Sequence, residues 1–103
     1  MRQYDICRNN NTSSRKQVPF VVVSQADLLN DFATVVVAPL MAETPATKFA
    51  RPNPQVKVPG KNYRVSMAEL ASVLRKQLGD VVANVGDQHG EFVAATDLVF
   101  AGI

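Results

Sequence analysis

Residues 34–40 read Thr-Val-Val-Val-Ala-Pro-Leu, an almost unbroken run of apolar side chains, three of them consecutive valines. β-Branched side chains restrict χ1 and favour extended backbone, and a strand without a polar face is typical of one buried on both sides. Pro39 has no N–H, so we expect it to disrupt the strand's hydrogen bonding near its end. This stretch predicts a central strand in a mostly β domain.

Two strand-like segments precede the central run. Residues 3–8 alternate along the chain, as expected for a first strand. Residues 19–23 read Pro-Phe-Val-Val-Val, and a proline is tolerated at the first position of a strand. The polar stretch 9–16 (Asn-Asn-Asn-Thr-Ser-Ser-Arg-Lys) predicts the loop that joins the two strands.

A hairpin is predicted beyond the central run. Residues 55–58 and 63–66 enclose Pro-Gly-Lys-Asn, a turn sequence. The preceding stretch 41–54 contains three prolines and predicts a long irregular connection. The stretch 67–78 favours a helix, because its leucines at 70, 74 and 78 recur every four residues.

The C-terminal segment predicts an amphipathic helix. One face of it repeats at i, i+3, i+4 and i+7 through Phe92, Ala95, Thr96 and Val99. Asp87 is placed to cap its start, and Gly102 lies where a glycine commonly ends a helix.

Size and composition restrict the class of protein. The 103 residues predict a single domain over 1–103, and the 47% hydrophobic content predicts a folded one. A net charge of +2, dispersed along the chain, is too weak for a nucleic-acid footprint. The surplus of apolar residues on a small chain predicts a homodimer, with an interface at residues 35–37 and the base of the terminal helix.

The chemistry of the side chains predicts a binding protein without enzymatic activity. His89 is the single histidine and is expected to be a solvated surface residue, and the five glycines are isolated. We therefore predict no catalytic residue, no metal site and no cofactor. Cys7 is the single cysteine and is expected to be a buried strand residue in a reducing compartment. The absence of a signal-peptide core or a membrane-length apolar run predicts a cytoplasmic protein.

Three segments resemble the CcdB family, the toxin half of the ccd toxin–antitoxin system. They are Val-Val-Ser-Gln-Ala-Asp-Leu-Leu at 22–29, Val-Ala-Pro-Leu at 37–40, and the region from 67 to the ending Leu-Val-Phe-Ala-Gly-Ile at 98–103. The resemblance implies a small SH3-like antiparallel sheet with a wing hairpin and a C-terminal α-helix, the toxin fold that CcdB shares with MazF, assembled as a homodimer. It also implies strand in place of helix over residues 72–78, although Leu74 stands where the family has a proline.

The resemblance also implies a function. The family poisons DNA gyrase by binding its A subunit and trapping the enzyme on cleaved DNA, and a CcdA-like antitoxin with a disordered tail reverses this. DNA is then reached only through gyrase or the toxin–antitoxin complex, and no membrane is involved. Matching the family's contact positions implies a gyrase-binding surface of Ala26, Leu28, Leu29, Asp97, Ala101, Gly102 and Ile103. Ala101 stands where the best-known member has a tryptophan that stacks on a gyrase arginine.

Two other functions remain open from the sequence. A ribonuclease toxin of the MazF or Kid kind shares the fold, and its nearest candidate residues here would be Arg15, Lys16, Arg64 and His89. A decayed homologue that only sequesters antitoxin is the other. A ribonuclease needs a cationic groove with an acid–base pair, and these four residues form no recognisable set.

Overall fold

The computed structural model describes residues 1–27, 32–45 and 53–102. Within them the elements are β1 (Asp5–Asn9), β2 (Phe20–Val23), β3 (Thr34–Ala42), β4 (Gln55–Val58), β5 (Lys61–Val65), β6 (Ala71–Leu74), β7 (Leu78–Asn84) and α1 (His89–Ala101). The strands pair antiparallel in the order β4-β5-β3-β2-β1-β7, with β6 added to β3. The predicted mostly β fold with a C-terminal helix is confirmed. None of the described helices is long and apolar enough to span a membrane.

Strand β3 is the strand with the most pairing partners in the sheet. The prediction that Pro39 disrupts its hydrogen bonding is wrong, because the strand continues through Pro39 to Ala42. One edge of β3 pairs with β2, and the other pairs first with β6 and then with β5. The carbonyl of Pro39 accepts the N–H of Ser66 at 2.9 Å. Because the N and C=O of one strand residue point to the same side, the missing N–H of Pro39 falls between β6 and β5, where the ladder changes partners.

The sheet buries side chains on both faces, as the apolar run 34–40 predicted. Leu40 belongs to a first core beneath α1, and Val35 and Val37 belong to a second core on the opposite face. Val35 and Val37 are 0% and 3% exposed within the chain. The prediction that residues 35–37 form a dimer interface is therefore wrong for these two side chains.

The wing hairpin is confirmed, with a tighter turn than the sequence predicted. Strand β5 begins at Lys61, which pairs directly with Val58, so the loop is Pro59-Gly60 alone. Gly60 has φ = 84°, the value that the second central residue of a type II turn requires. Proline before it fits the first central position, which is why two residues are enough.

The stretch 67–78 forms neither the helix that its leucine spacing predicted nor one continuous strand. It contains a 3₁₀ turn at Met67–Glu69, strand β6, a second 3₁₀ turn at Arg75–Gln77, and then β7. Leu70 packs on the first core and Leu78 on the second, so these leucines do not share a face. The strand expected over 72–78 is thus confirmed for 72–74 and at 78, and wrong over 75–77, where the Leu78 N–H donates to the carbonyl of Arg75 and closes a 3₁₀ turn.

Candidate functional site

Helix α1 presents one buried face and one exposed stripe. Phe92 and Ala95 are buried against the first core and Val99 packs at its edge, as the periodicity predicted. On the other side, Val93, Asp97 and Ala101 recur every four residues and all three are exposed. Phe100 lies beside them and is 71% exposed. We call Val93, Asp97, Phe100 and Ala101 the outer stripe of α1.

The start of α1 differs from the prediction, and its end agrees with it. Asp87 lies inside a 3₁₀ turn and does not cap the helix, because Asn84 Oδ1 accepts the N–H of Gly86 and the chain turns earlier. At the other end Gly102 has φ = 72° and donates its N–H to the carbonyl of Leu98 at 3.2 Å. Glycine adopts this left-handed conformation without the cost that a side chain brings.

The predicted residues near position 26 approach α1 through Gln3. Ala26 is exposed. The neighbouring Asp27 accepts the backbone N–H of Gln3 at 2.6 Å, and the Gln3 side chain donates to the carbonyl of Ser24 at 3.1 Å. Gln3 in turn lines a pocket whose opposite wall includes Asp97. Through Gln3 the structure connects the Ala26 segment to the pocket that Val93 and Asp97 line, while Leu28, Leu29 and Ile103 lie outside the described residues.

A pocket of about 200 Å³ separates the end of β2 from α1, and we call it the β2–α1 pocket. Its walls are formed by Gln3, Tyr4, Ser24 and Met67 on one side and by His89, Phe92, Val93, Thr96 and Asp97 on the helix. The sequence offered Asp97 as a gyrase contact and His89 as a candidate for the ribonuclease alternative, and it did not identify the other lining residues as site residues. They escape sequence reasoning because the two walls come from opposite ends of the chain.

Tyr4 is the central side chain of this pocket. Its hydroxyl is 2.8 Å from His89 Nδ1, and its ring lies 5.1 Å from the ring of Phe92. Burial raises the pKa of Tyr4, so the hydroxyl keeps its proton at neutral pH. His89 is exposed, as predicted, yet it is held by a specific partner and is not merely solvated.

The structure does not bring together the four residues that the sequence offered as ribonuclease candidates. Arg64 forms an ion pair with Glu43 at 3.2 Å, and the ring of His89 bonds to Tyr4. Arg15 and Lys16 are exposed in the loop between β1 and β2. Within the described ranges, no hydrogen bond or ion pair joins any two of these four.

Other reactive groups in the described part of the chain are few. No group of three or more His, Cys, Asp or Glu side chains there could hold a metal ion. Cys7 is fully buried, and burial raises the pKa of its thiol to about 11. The thiol is therefore protonated at neutral pH and a poor nucleophile.

Comparison with known proteins first defines the class by its fold. A solved structure described as an endoribonuclease in complex with its cognate antitoxin, from Mycobacterial species, superposes with a TM-score of 0.78. The match covers 98% of this chain and 95% of that one at 12% sequence identity, so it shows a shared fold. The chain thus shares the fold of that mostly β protein.

The family follows from the sequence. The family model described as CcdB protein matches residues 3–102. The chain therefore belongs to the CcdB family, whose members are the toxins of toxin–antitoxin systems. No protein with a curated description matches the sequence.

Proposed function

We propose that this toxin-family protein acts in the cytoplasm by binding the A subunit of DNA gyrase and holding the enzyme on cleaved DNA. It is not itself an enzyme and touches DNA only through its partners. The observation that carries the proposal is the exposed C-terminal end of α1. There Phe100 is 71% exposed, and Gly102 ends the helix in the left-handed conformation.

The gyrase surface has two parts. One is the outer stripe with Gly102 and Ile103, and the other is the segment of Ala26, Leu28 and Leu29. Gln3 supports this grouping, because it bonds to Asp27 beside Ala26 and shares a pocket wall with Asp97. Both parts would then meet a partner at the same end of the molecule.

Affinity for gyrase is expected to be lower than in a family member that has tryptophan at position 101. A lost cation–π contact costs roughly 0.5–2 kcal/mol, and a homodimer loses it twice. At about 1.4 kcal/mol per tenfold change, the affinity falls roughly 5- to 1,000-fold. Phe100 provides the remaining large apolar contact, since fully burying a phenylalanine contributes about 1.5–3 kcal/mol.

A homodimer and an antitoxin complete the proposal. Met41 and Leu74 are 37% and 40% exposed, and apolar surface of this kind suits burial by a partner. An extended CcdA-like segment would cover such side chains with the polar loop 9–16 at its rim. The fold neighbour described in complex with its cognate antitoxin supports this mode of regulation.

Gyrase poisoning is tested with purified gyrase, supercoiled plasmid and ATP, by counting linear DNA released after detergent and protease. We expect cleavage with the wild-type protein and less with Phe100→Ala. Val81→Ala is the matched control, since it truncates an exposed apolar side chain on β7, away from α1. Cleavage that is absent, or equally reduced by both substitutions, would reject the proposed surface.

The two alternative functions are tested in parallel with this assay. Cleavage of RNA incubated with the purified protein, without gyrase cleavage, would make it a ribonuclease toxin. Binding of the antitoxin encoded beside it, measured by calorimetry, with neither activity would make it a decayed homologue. Light scattering should give twice the 11.2 kDa mass of the chain, and the chain mass alone at micromolar concentration would exclude the dimer.

A further inference from the structure

We infer that the β2–α1 pocket receives a cationic side chain, arginine or lysine, presented by a protein partner. The pocket lies between Gln3, Tyr4 and Ser24 on one side and His89, Val93 and Asp97 on the other. The inference depends on the proposed function only for the identity of the partner. The chemistry of the pocket stands on the contacts described below.

The size and charge of the pocket suit one side chain. Its volume of about 200 Å³ is more than ten times the roughly 10–15 Å³ that one water needs on the same measure. Asp97 is the single formally charged side chain among the described residues that line it, taking His89 as neutral. A carboxylate at the wall of a partly enclosed site attracts a cation more strongly than one in open solvent.

An unsatisfied hydroxyl supports a polar occupant. Ser24 Oγ is buried and has no hydrogen-bond partner, one of two such side-chain atoms in the described residues. Buried hydroxyls are normally paired, since leaving one unpaired costs the desolvation of the group. Ser24 lines the pocket, so a rotation of its short side chain toward an N–H donor bound there would supply the missing partner.

The tyrosine wall is held in a strained conformation. Tyr4 is the one described non-glycine residue with positive φ, 67°. It is fixed by its own N–H to the Val23 carbonyl at 2.7 Å and by the Val85 N–H to its carbonyl at 3.0 Å. Such strain persists only where surrounding contacts over-determine it, and it concentrates at binding sites. Here it places the Tyr4 ring between His89 and Phe92.

These features together favour a cation over other occupants. Guanidinium and ammonium groups donate to hydroxyl oxygens and pair with carboxylates, and Ser24 and Asp97 both line the pocket. An anion would face Asp97 without a compensating cation among the lining residues. An apolar side chain would leave Ser24 Oγ unpaired. Because Val93 and Asp97 belong to the outer stripe, a partner that covers α1 would carry its side chain into the pocket.

The test is an NMR titration of the full-length protein with N-acetyl-argininamide and N-acetyl-lysinamide. N-acetyl-norleucinamide serves as the uncharged control of similar length. We expect saturable millimolar shifts of the His89 and Thr96 amides with a cationic probe and none with norleucinamide. Asp97→Asn should weaken binding at least tenfold. Asp80→Asn, which removes an exposed carboxylate outside the pocket, should leave binding unchanged. Equal binding of norleucinamide, or no binding of any probe, overturns the inference.

The Ser24→Ala variant shows whether the Ser24 hydroxyl binds the ligand or has only a structural role. Removing an unpaired buried hydroxyl should raise the thermal midpoint of unfolding and weaken binding of the cationic probe. Removing a hydroxyl with a structural role would lower the midpoint. The same variants are then measured against gyrase. If wild-type protein binds the probe and not gyrase, the proposed function fails and the pocket stands. If it binds gyrase and does not bind the cationic probe, the pocket inference fails and the function stands.

Discussion

Removing residues 101–103 should abolish gyrase binding and leave the protein folded. Ala101 and Gly102 are both exposed, so their loss removes little buried apolar surface. The hydrogen bond from Gly102 to Leu98 is lost with them. The deletion therefore separates a binding element from a folding element.

The cost in stability follows from that one bond. A typical intramolecular hydrogen bond contributes about 1 kcal/mol net, and the last helical turn frays easily. We expect a loss of about 1 kcal/mol from a total of roughly 5–15 kcal/mol. For a domain of this size that lowers the thermal midpoint by about 4–8 °C.

The assay pairs thermal unfolding, followed by far-UV circular dichroism, with gyrase A binding by surface plasmon resonance. A loss above about 3 kcal/mol, the scale of truncating a buried phenylalanine, would show that the tail belongs to the core. Unchanged gyrase affinity would refute the assignment of the tail as a contact surface. Val81→Ala controls for loss of exposed apolar surface elsewhere.

Three other variants or probes test separate parts of the structure. Ala101→Trp should strengthen gyrase binding by about 0.5–2 kcal/mol per contact, seen as slower dissociation and greater toxicity on expression; unchanged kinetics would contradict the stacking argument. Phe92→Ala should destabilise the protein by about 3–5 kcal/mol in urea unfolding, because Phe92 is 1% exposed at the centre of the first core, and a cost under about 1 kcal/mol would refute that packing. Cys7 should resist thiol reagents at pH 8 in the native state and react on unfolding; fast native labelling would contradict its burial. Because burial raises its pKa from 9.0 to about 11, its contribution to stability is complete below pH 9 and is lost as the pH rises through 11, which Cys7→Ala should abolish.

Much of the fold could be predicted because its signals are local. The valine runs specify extended backbone at β2 and β3, and the 3.6-residue repeat specifies the buried face of α1. Gly60 and Gly102 both have the positive φ that their turn and cap positions require. The family resemblance added strand character at 72–74, which the leucine spacing had contradicted.

The leucines of 67–78 show where a local pattern fails. Their helical spacing is real, yet Leu70 and Leu78 lie in different cores because the chain turns between them. Between them, residues 71–74 pair as a strand with residues 34–37 of β3, more than thirty residues away in sequence. Periodicity reports which side chains could share a face, and only the packing decides whether they do.

The sequence by itself determined the strand-rich class, the terminal helix with its glycine cap, and the family. The tertiary structure alone decided which groups meet. Tyr4 and His89 are 85 residues apart and bond at 2.8 Å, because β1 pairs with β7 and brings the two ends of the chain together. The β2–α1 pocket arises from that pairing. No local rule encodes such a site, since its walls are positioned by contacts that the chain closes only on folding.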